Sequence, residues 1–130
     1  MTQEDKELLL RDLCARLPYR PKLKIVYQQQ GIKGTEEGNV DCYAIKQIVN
    51  DLHIGIITDI QIYLRPMSSM TEEERIDSLN YAWKDDYGRL ASYNENIPKY
   101  INWLNTHHFD YNGLIDKGLA IEAPEGMYKF

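Results

Sequence analysis

The spacing of hydrophobic residues changes at Pro18 and Pro21, and this change restricts the chain to a fold that mixes helices with strands. Residues 3–17 place leucines at helical spacing behind Thr2, a residue type that caps helix N-termini. Proline lacks the N–H that a continuing helix needs, so this helix ends at the first proline. From residue 22 the hydrophobic residues alternate with polar ones, which predicts a strand with one buried face.

The middle third of the chain predicts a small sheet. Three glycines break up a polar connection after the first strand: Gly31, Gly34 and Gly38. Residues 40–49 predict a second extended segment, residues 52–57 a β-branched third, and residues 60–64 an alternating fourth. We expect a small antiparallel sheet of three to five strands, or a partial barrel similar to SH3-like folds, an analogy that carries no function by itself.

Two long helices are predicted after residue 66. Thr71 and Glu74 form a capping box, and three consecutive carboxylates occupy the positive end of that helix dipole. The predicted buried stripe of this helix consists of Ile76, Leu79, Trp83, Tyr87 and Leu90. The next helix is predicted to start at Asn96. Its predicted buried face consists of Ile97, Tyr100, Ile101 and Leu104, with Trp103 beside them.

The remaining C-terminal residues predict one more short element. Asp110 is expected to cap a last short helix, which ends at Gly118, and an extended tail follows. Together the elements predict an α+β fold in one domain over residues 1–130. Residues 1–66 form a helix plus a sheet, and residues 67–130 form a helical part with the tail.

Length and composition exclude several classes of protein. A chain of 130 residues is long enough for one compact core and too short for a multidomain enzyme. Cys14 and Cys42 are too few for a disulfide framework and are expected to be small buried hydrophobes. No apolar run reaches the length that spans a bilayer, and no signal peptide precedes the first helix. We therefore expect a cytoplasmic protein with no membrane partner.

Charge is distributed unevenly along the chain. The net charge is -5, and the whole deficit lies in residues 71–130. Residues 11–33 are locally basic and hold two tyrosines able to stack on bases, which makes nucleic-acid binding one candidate function. The residues that would carry it are Arg11, Arg16, Arg20, Lys22, Lys24, Lys33, Tyr19 and Tyr27. The alternative is that the arginines complement a helix C-terminus while the lysines solubilise an edge strand.

Catalytic motifs are absent from the sequence, and one cluster has the residue types of a metal site. His107, His108 and Asp110 are ligands that a transition metal prefers, but a site would need a further ligand from far away, such as His53 or Glu122. Asp110 is already explained as a helix cap. We expect no cofactor, and we interpret the two histidines as part of a structural corner, with a metal-dependent enzyme as the third candidate.

Aromatic residues favour an interaction function. Ten tyrosines and two tryptophans are a large supply for this length, and such residues are enriched at interfaces. The leading hypothesis is therefore a non-enzymatic protein-interaction module that binds another protein or itself. Its acidic second half would mimic or repel polyanions.

Three stretches of the chain resemble a known group of proteins. They are MTQEDKELLLRDLCARLPY, YLRPMSSMTEEE and WLNTHHFDYNGLIDKGLAIEAPEGMY, at residues 1–19, 63–74 and 103–128. Together they resemble a family of small uncharacterised proteins of gut Bacteroidales, their phages and integrated elements. The resemblance implies an accessory protein of a mobile element or its host. It implies no activity and no catalytic residues.

Overall fold

A computed structural model describes residues 2–83 and 93–128 and confirms the α+β class. These two ranges contain four α-helices: α1 (Gln3–Arg16), α2 (Ile45–His53), α3 (Glu72–Trp83) and α4 (Tyr93–Thr106). The same ranges contain five strands: β1 (Lys22–Gln29), β2 (Ile32–Asn39), β3 (Ile57–Pro66), β4 (Phe109–Asp110) and β5 (Ala120–Glu122). Helix α1 thus precedes the sheet, and α3 and α4 follow its long third strand.

The sheet has the order β2-β1-β3-β4, with β5 also paired to β3. β1 lies antiparallel to both β2 and β3. The two short strands β4 and β5 run parallel to β3, so the sheet is mixed. Within the described residues β2 pairs with β1 alone, and the sheet stays open at that edge.

Strand β2 replaces the polar connection that the glycines predict, and that prediction is wrong. Gln30 and Gly31 both have positive φ, 52° and 79°, which is the geometry of a tight type I′ hairpin turn. Gly34 is required further along, because a Cβ there would lie 2.3 Å from the ring of Tyr27, its partner across the ladder. Gly31 therefore lies in the hairpin turn, whereas Gly34 and Gly38 lie within strand β2.

Helix α2 replaces the extended segment predicted over residues 40–49, and that prediction is also wrong. Asp41 Oδ1 accepts hydrogen bonds from the backbone N–H groups of Tyr43 and Ala44, at 3.0 and 3.1 Å. These bonds turn the chain just before the helix begins. Ile48 and Leu52 are one helical turn apart, and both are buried in the core. The following strand consequently starts at Ile57 and not at residue 52.

The main core lies between α1, α2 and one face of the sheet. Its fully buried members are Leu9, Leu13, Leu23, Ile60, Ile62, Leu64 and Leu114. A second cluster joins Trp103, Leu104 and Phe109. Both cysteines are exposed, which corrects the expectation that they are buried. Cys14 lies one residue past the buried Leu13 and so turns off the core side of α1, and Cys42 lies in the turn before α2.

The N-terminus of α3 is confirmed, but its apolar stripe is not buried. Thr71 and Glu74 make both capping-box hydrogen bonds, each 3.1 Å long. Ile76 and Leu79 are 53% and 38% exposed, whereas Ser78 is buried. The helix rests on its polar side, so the buried-stripe prediction is wrong at these positions. The predicted stripe residues Tyr87 and Leu90 lie outside the described residues, as does the side chain of Trp83.

The C-terminal elements differ from their predicted forms. α4 begins at Tyr93, three residues before the predicted start, and carries Pro98 inside. The last short helix is a series of turns, although Asp110 does cap it: its two carboxylate oxygens accept from the N–H groups of Leu114 and Ile115, at 2.8 and 3.0 Å. The tail contains strand β5, because Ala120–Glu122 pairs with β3. Part of the predicted extended tail is thus a strand, because it pairs with a distant strand.

Candidate interaction surface

Arg16, one of the basic candidates for nucleic-acid binding, does not lie on the surface of the protein. Its side chain is fully buried and forms an ion pair with Asp12, with Nε 2.5 Å from Oδ1. It also donates to the backbone oxygen of Phe109 at 2.7 Å, while Asp12 accepts from Asn112 at 2.7 Å. This buried network ties α1 to the segment after α4. Arg16 is therefore structural, and its assignment to a nucleic-acid surface is wrong.

The remaining basic candidates are only partly brought together. Lys22, Lys24 and Lys33 share the sheet face opposite the core, because Lys33 pairs with Gln28 across the hairpin and side chains alternate along a strand. Glu37 lies directly opposite Lys24 on that face. The negative charge of Glu37 offsets part of the basic character that phosphate binding would need.

The other four candidates lie elsewhere. Tyr27 lies on the opposite face of β1 from the lysines, where its ring packs over Gly34. Arg11 is exposed on α1, and Arg20 is exposed in the turn after the 3₁₀ segment Leu17–Tyr19. Tyr19 is half-buried in that segment. The predicted combination of cations and stacking tyrosines is thus not assembled on one face.

The histidine cluster is built into the packing. The His107 ring packs against Trp103 at an angle of 30°, and the His108 ring stacks on Tyr128, with ring centroids 4.1 and 3.6 Å apart. Both carboxylate oxygens of Asp110 hold the turn that follows it. Among residues 2–83 and 93–128, no group of three His, Cys, Asp or Glu side chains is placed to hold a metal ion. The arrangement supports the structural-corner interpretation.

Burial keeps both imidazoles neutral at physiological pH. Desolvation by burial lowers the pKa of His108 to about 4, assisted by the positive charges of Arg16 and Arg65. Burial also lowers the pKa of His107, against the opposing effect of the nearby carboxylate of Glu74. Neither histidine therefore adds positive charge to its surroundings at neutral pH.

Arg65 fixes the start of α3 against the sheet. Its guanidinium donates to both carboxylate oxygens of Glu74, at 2.7 and 2.9 Å, and lies 4.2 Å from the centre of the Phe109 ring. The hydrogen bonds from Arg65 hold the pKa of Glu74 below its usual value. This bidentate pair sets where the first turn of α3 lies.

A groove between α3 and α4 presents a set of residues that the sequence patterns did not single out together. Glu73, Ile76, Asp77 and Asn80 are spaced i, i+3, i+4 and i+7 and therefore share one face of α3. The facing side of α4 has the same spacing at Lys99, Asn102, Trp103 and Thr106. Two adjoining cavities of about 480 and 360 Å³ lie along this groove. They meet at Asp77, Trp103 and His107.

The floor of the groove is aromatic and its α3 side is acidic. The Trp103 indole donates to Asp77 Oδ2 at 2.9 Å, which holds the ring edge and the carboxylate side by side. Glu73 and Glu74 line the same side, and Ile76 and Tyr81 leave 53% and 45% of their surface exposed. An acidic rim along α3 beside exposed apolar side chains, with Lys99 on the α4 side, is a surface that a basic, partly apolar partner can cover.

Sequence reasoning missed this groove because each member had a different explanation. The helix dipole accounts for the carboxylates at residues 72–74, Ile76 belongs to the predicted buried stripe of α3, and Trp103 lies beside the predicted buried face of α4. The available signal was the i, i+3, i+4, i+7 spacing of Glu73, Ile76, Asp77 and Asn80, which places two carboxylates, one apolar side chain and one amide on the same helix face.

The chain matches no protein-family model, no curated protein and no solved structure. In the part of the chain that the structure describes, no helix is both long enough and apolar enough to cross a membrane.

Proposed function

We propose that this protein is a non-enzymatic interaction module, which binds a basic, partly apolar segment of another protein in the groove between α3 and α4. The observation that carries the proposal is the pairing of an acidic rim with exposed apolar side chains over the Trp103 floor. Charges at such a rim steer and select a partner, while buried aromatic and apolar contacts supply most of the affinity.

The dimensions of the groove indicate a short partner segment. From Glu73 to Tyr81 the helix advances about 12 Å, at about 1.5 Å per residue. That length matches about two turns of a partner helix or about four extended residues. An interface of this size belongs to the small, transient class, in which a few central side chains determine binding.

Partner capture with matched variants tests the proposal. Wild-type protein immobilised on a support is exposed to extract from the cell of origin, alongside the double variant Glu73→Lys, Ile76→Glu. Both positions are exposed, so the substitutions change the groove without opening the core. The control is Ile54→Glu, Glu125→Lys, which makes the same two chemical changes at exposed positions outside the groove.

The proposal expects a protein that is retained by the wild type and by the control, and that is lost from the groove variant. The retained protein should carry a segment in which Lys or Arg stands next to apolar residues. Equal retention by all three proteins would contradict the assigned surface. A reproducible small-molecule turnover with no macromolecular partner would contradict the function itself.

Nucleic-acid binding is the second candidate, and the lysines that share the outer sheet face favour it. Affinity for mixed single- and double-stranded oligonucleotides would then fall steeply with salt, because phosphate contacts release counterions. Lys24→Glu should weaken the binding and reduce its salt dependence, whereas Lys46→Glu on α2 should leave the affinity nearly unchanged. Absence of binding at low salt would eliminate this candidate.

The biological setting is a further part of the proposal. The resemblance of residues 1–19, 63–74 and 103–128 to proteins of gut Bacteroidales and their phages favours an accessory role in a mobile element or its host. A cytoplasmic location fits such a role, and fractionation of the cell of origin with an antibody against the protein would test it. Recovery outside the cytoplasmic fraction would contradict the location.

A further inference from the structure

Strand β2 forms a free edge of the sheet. It spans Ile32–Asn39, pairs only with β1 within the described residues, and exposes every residue except the half-buried Gly34. The eight residues pair with β1 in continuous register, without a bulge, and contain no proline. Bulges, prolines and charged side chains are devices by which proteins prevent an edge strand from pairing with another chain. β2 has neither a bulge nor a proline, and it carries charged side chains at Lys33, Glu36 and Glu37.

The hydrogen bonds of the hairpin show which backbone groups of β2 face outward. The β1–β2 ladder ends at the pair Lys22 and Asn39, and the next residues in the same register are Pro21 and Val40. The N–H of Val40 donates to the backbone oxygen of Pro21 at 2.9 Å. On the other side of β1, the N–H of Gln28 points to β3 and reaches the oxygen of Ile56 at 2.7 Å. Bonded and non-bonded pairs alternate along an antiparallel ladder. Even-numbered residues of β2 therefore bond to β1.

The odd-numbered residues of β2 consequently turn their N–H and C=O groups away from the sheet. These residues are Lys33, Thr35, Glu37 and Asn39. Two antiparallel copies can bond only in registers that place outward-facing residues opposite one another. Only the register centred on Thr35 places Lys33 of one copy opposite Glu37 of the second copy. Because the two copies are related by two-fold symmetry, this contact occurs twice.

We propose that two copies of this chain associate through their β2 strands, antiparallel and centred on Thr35, to form one continuous ten-stranded sheet. The proposal goes beyond the groove and does not depend on it. Charge complementarity indicates that the partner is a second copy of this chain. In the dimer each Lys33 lies opposite Glu37 of the other copy, so that the two copies make the same two contacts between opposite charges. Registers centred on Lys33 or Glu37 would instead set like charges opposite each other.

In the single chain the side chain of Glu37 is held over the sheet face that it shares with Lys24. Its Oε1 accepts a hydrogen bond of 2.6 Å from the hydroxyl of Tyr63, which reaches it from β3. Lys24 lies beside it in the β1 ladder, and Lys33 of the second copy would lie on the other side. Glu37 would therefore stand between two cations, a charge pattern that a monomer leaves half complete.

Sedimentation equilibrium over a range of protein concentrations tests the proposal, with wild type compared to charge-reversal variants. Lys33→Glu and Glu37→Lys should each raise the dimer dissociation constant by about tenfold or more, since two like-charge pairs replace two opposite pairs. The combined variant Lys33→Glu, Glu37→Lys should restore much of the affinity. Lys46→Glu, an exposed charge reversal on α2, serves as the control and should leave the dimer intact.

Thr35→Pro gives a second, independent test. The N–H of Thr35 faces outward, so proline removes bonds between the copies while the β1 ladder keeps its own. We expect a folded monomer, checked by circular dichroism. A wild type that stays monomeric at every concentration would overturn the proposal, as would a dimer that survives both Thr35→Pro and Lys33→Glu. Partner capture by the α3–α4 groove should be unchanged in these variants, which separates the two proposals.

Discussion

The imidazole of His108 lies nearly parallel to the phenol ring of Tyr128, with the ring centroids 3.6 Å apart. The Tyr128 hydroxyl accepts a hydrogen bond of 2.9 Å from the backbone N–H of Lys22 and donates one of 2.7 Å to the oxygen of Tyr63. One side chain near the C-terminus thus joins the start of β1, the middle of β3 and the corner after α4. The C-terminal segment is part of the folded unit.

Tyr128→Phe should destabilise the protein by about 1–3 kcal/mol, the range for leaving buried polar groups without their partner. The ring stack on His108 survives in this variant, so the loss measures the hydroxyl alone. Chemical denaturation followed by circular dichroism gives the free energy of unfolding. Tyr43→Phe is the matched control, because the Tyr43 side chain is 94% exposed, and it should change stability by less than about half a kcal/mol.

Acid should weaken the fold through His108. Its pKa is about 4 in the folded protein, against about 6.5 in an unfolded chain, because burial disfavours the charged form. The unfolded state therefore binds the proton first, and stability falls as the pH drops from about 6.5 to about 4. Above a pH of about 6.5 the histidine is neutral in both the folded and the unfolded state, so it does not make the stability depend on pH.

A variant isolates this effect. His108 has a φ of 62°, in the left-handed region, which asparagine tolerates better than most residues. His108→Asn should lower stability at pH 7, because the stacking is lost, and should flatten the pH dependence between about 6.5 and 4. Thermal melts at a series of pH values provide the comparison. An equally steep acid decline in this variant would assign the effect to other groups.

Asp12→Ala should be among the most damaging single changes. It would leave the fully buried Arg16 without its ion partner, a loss of about 3–5 kcal/mol. The double variant Asp12→Leu, Arg16→Met removes both charges and should recover a large part of that loss, because an apolar pair of similar size can replace a buried ion pair. Denaturant titrations of the two variants decide this. A double variant less stable than Asp12→Ala would show that Arg16 is needed for its bond to Phe109.

Asp110→Ala should destabilise by about 0.5–2 kcal/mol, the range for loss of a cap. Phe109→Ala should cost about 3–5 kcal/mol, since its fully buried ring stacks on Trp103 and supports Arg65. Thermal melts rank the two. If Asp110→Ala were the more damaging, the carboxylate would have a role beyond holding the turn.

The elements predicted correctly from the sequence are those that local chemistry determines. Thr2 caps α1, the Thr71–Glu74 capping box starts α3, and alternation marks β1 and β3. Each of these signals depends on residues within a few positions of one another. No distant contact is needed to recognise them.

For β2, β4 and β5 the prediction failed because pairing between distant segments decides the structure. β2 contains glycines and glutamates that disfavour strands, and it forms because β1 supplies a ladder and Gln30-Gly31 supplies the turn. β4 and β5 are too short to carry a pattern and exist through parallel pairing with β3. In α2 the helical spacing of Ile45, Ile48 and Leu52 indicates a helix. The β-branched residues in this segment favour a strand, and the prediction that followed them was wrong.

The α3–α4 groove could not be predicted from the sequence for a related reason. The exposure of Ile76 depends on how α3 rests against α4, with Ser78 on the buried side. Helical spacing shows that such residues share a face, but it does not show which face meets the core. The acidic residues were visible in the sequence, and only the packing places them beside Trp103.

Zero-length carbodiimide crosslinking tests the central claim most directly. The reagent couples a carboxylate to an amine in contact with it, and mass spectrometry then identifies both residues. Applied to the protein with its partner from the cell of origin, it should join Glu73 or Asp77 to a lysine in a basic, partly apolar segment of a second protein. Crosslinks confined to carboxylates outside the α3–α4 groove, or their absence at saturating partner, would contradict the account.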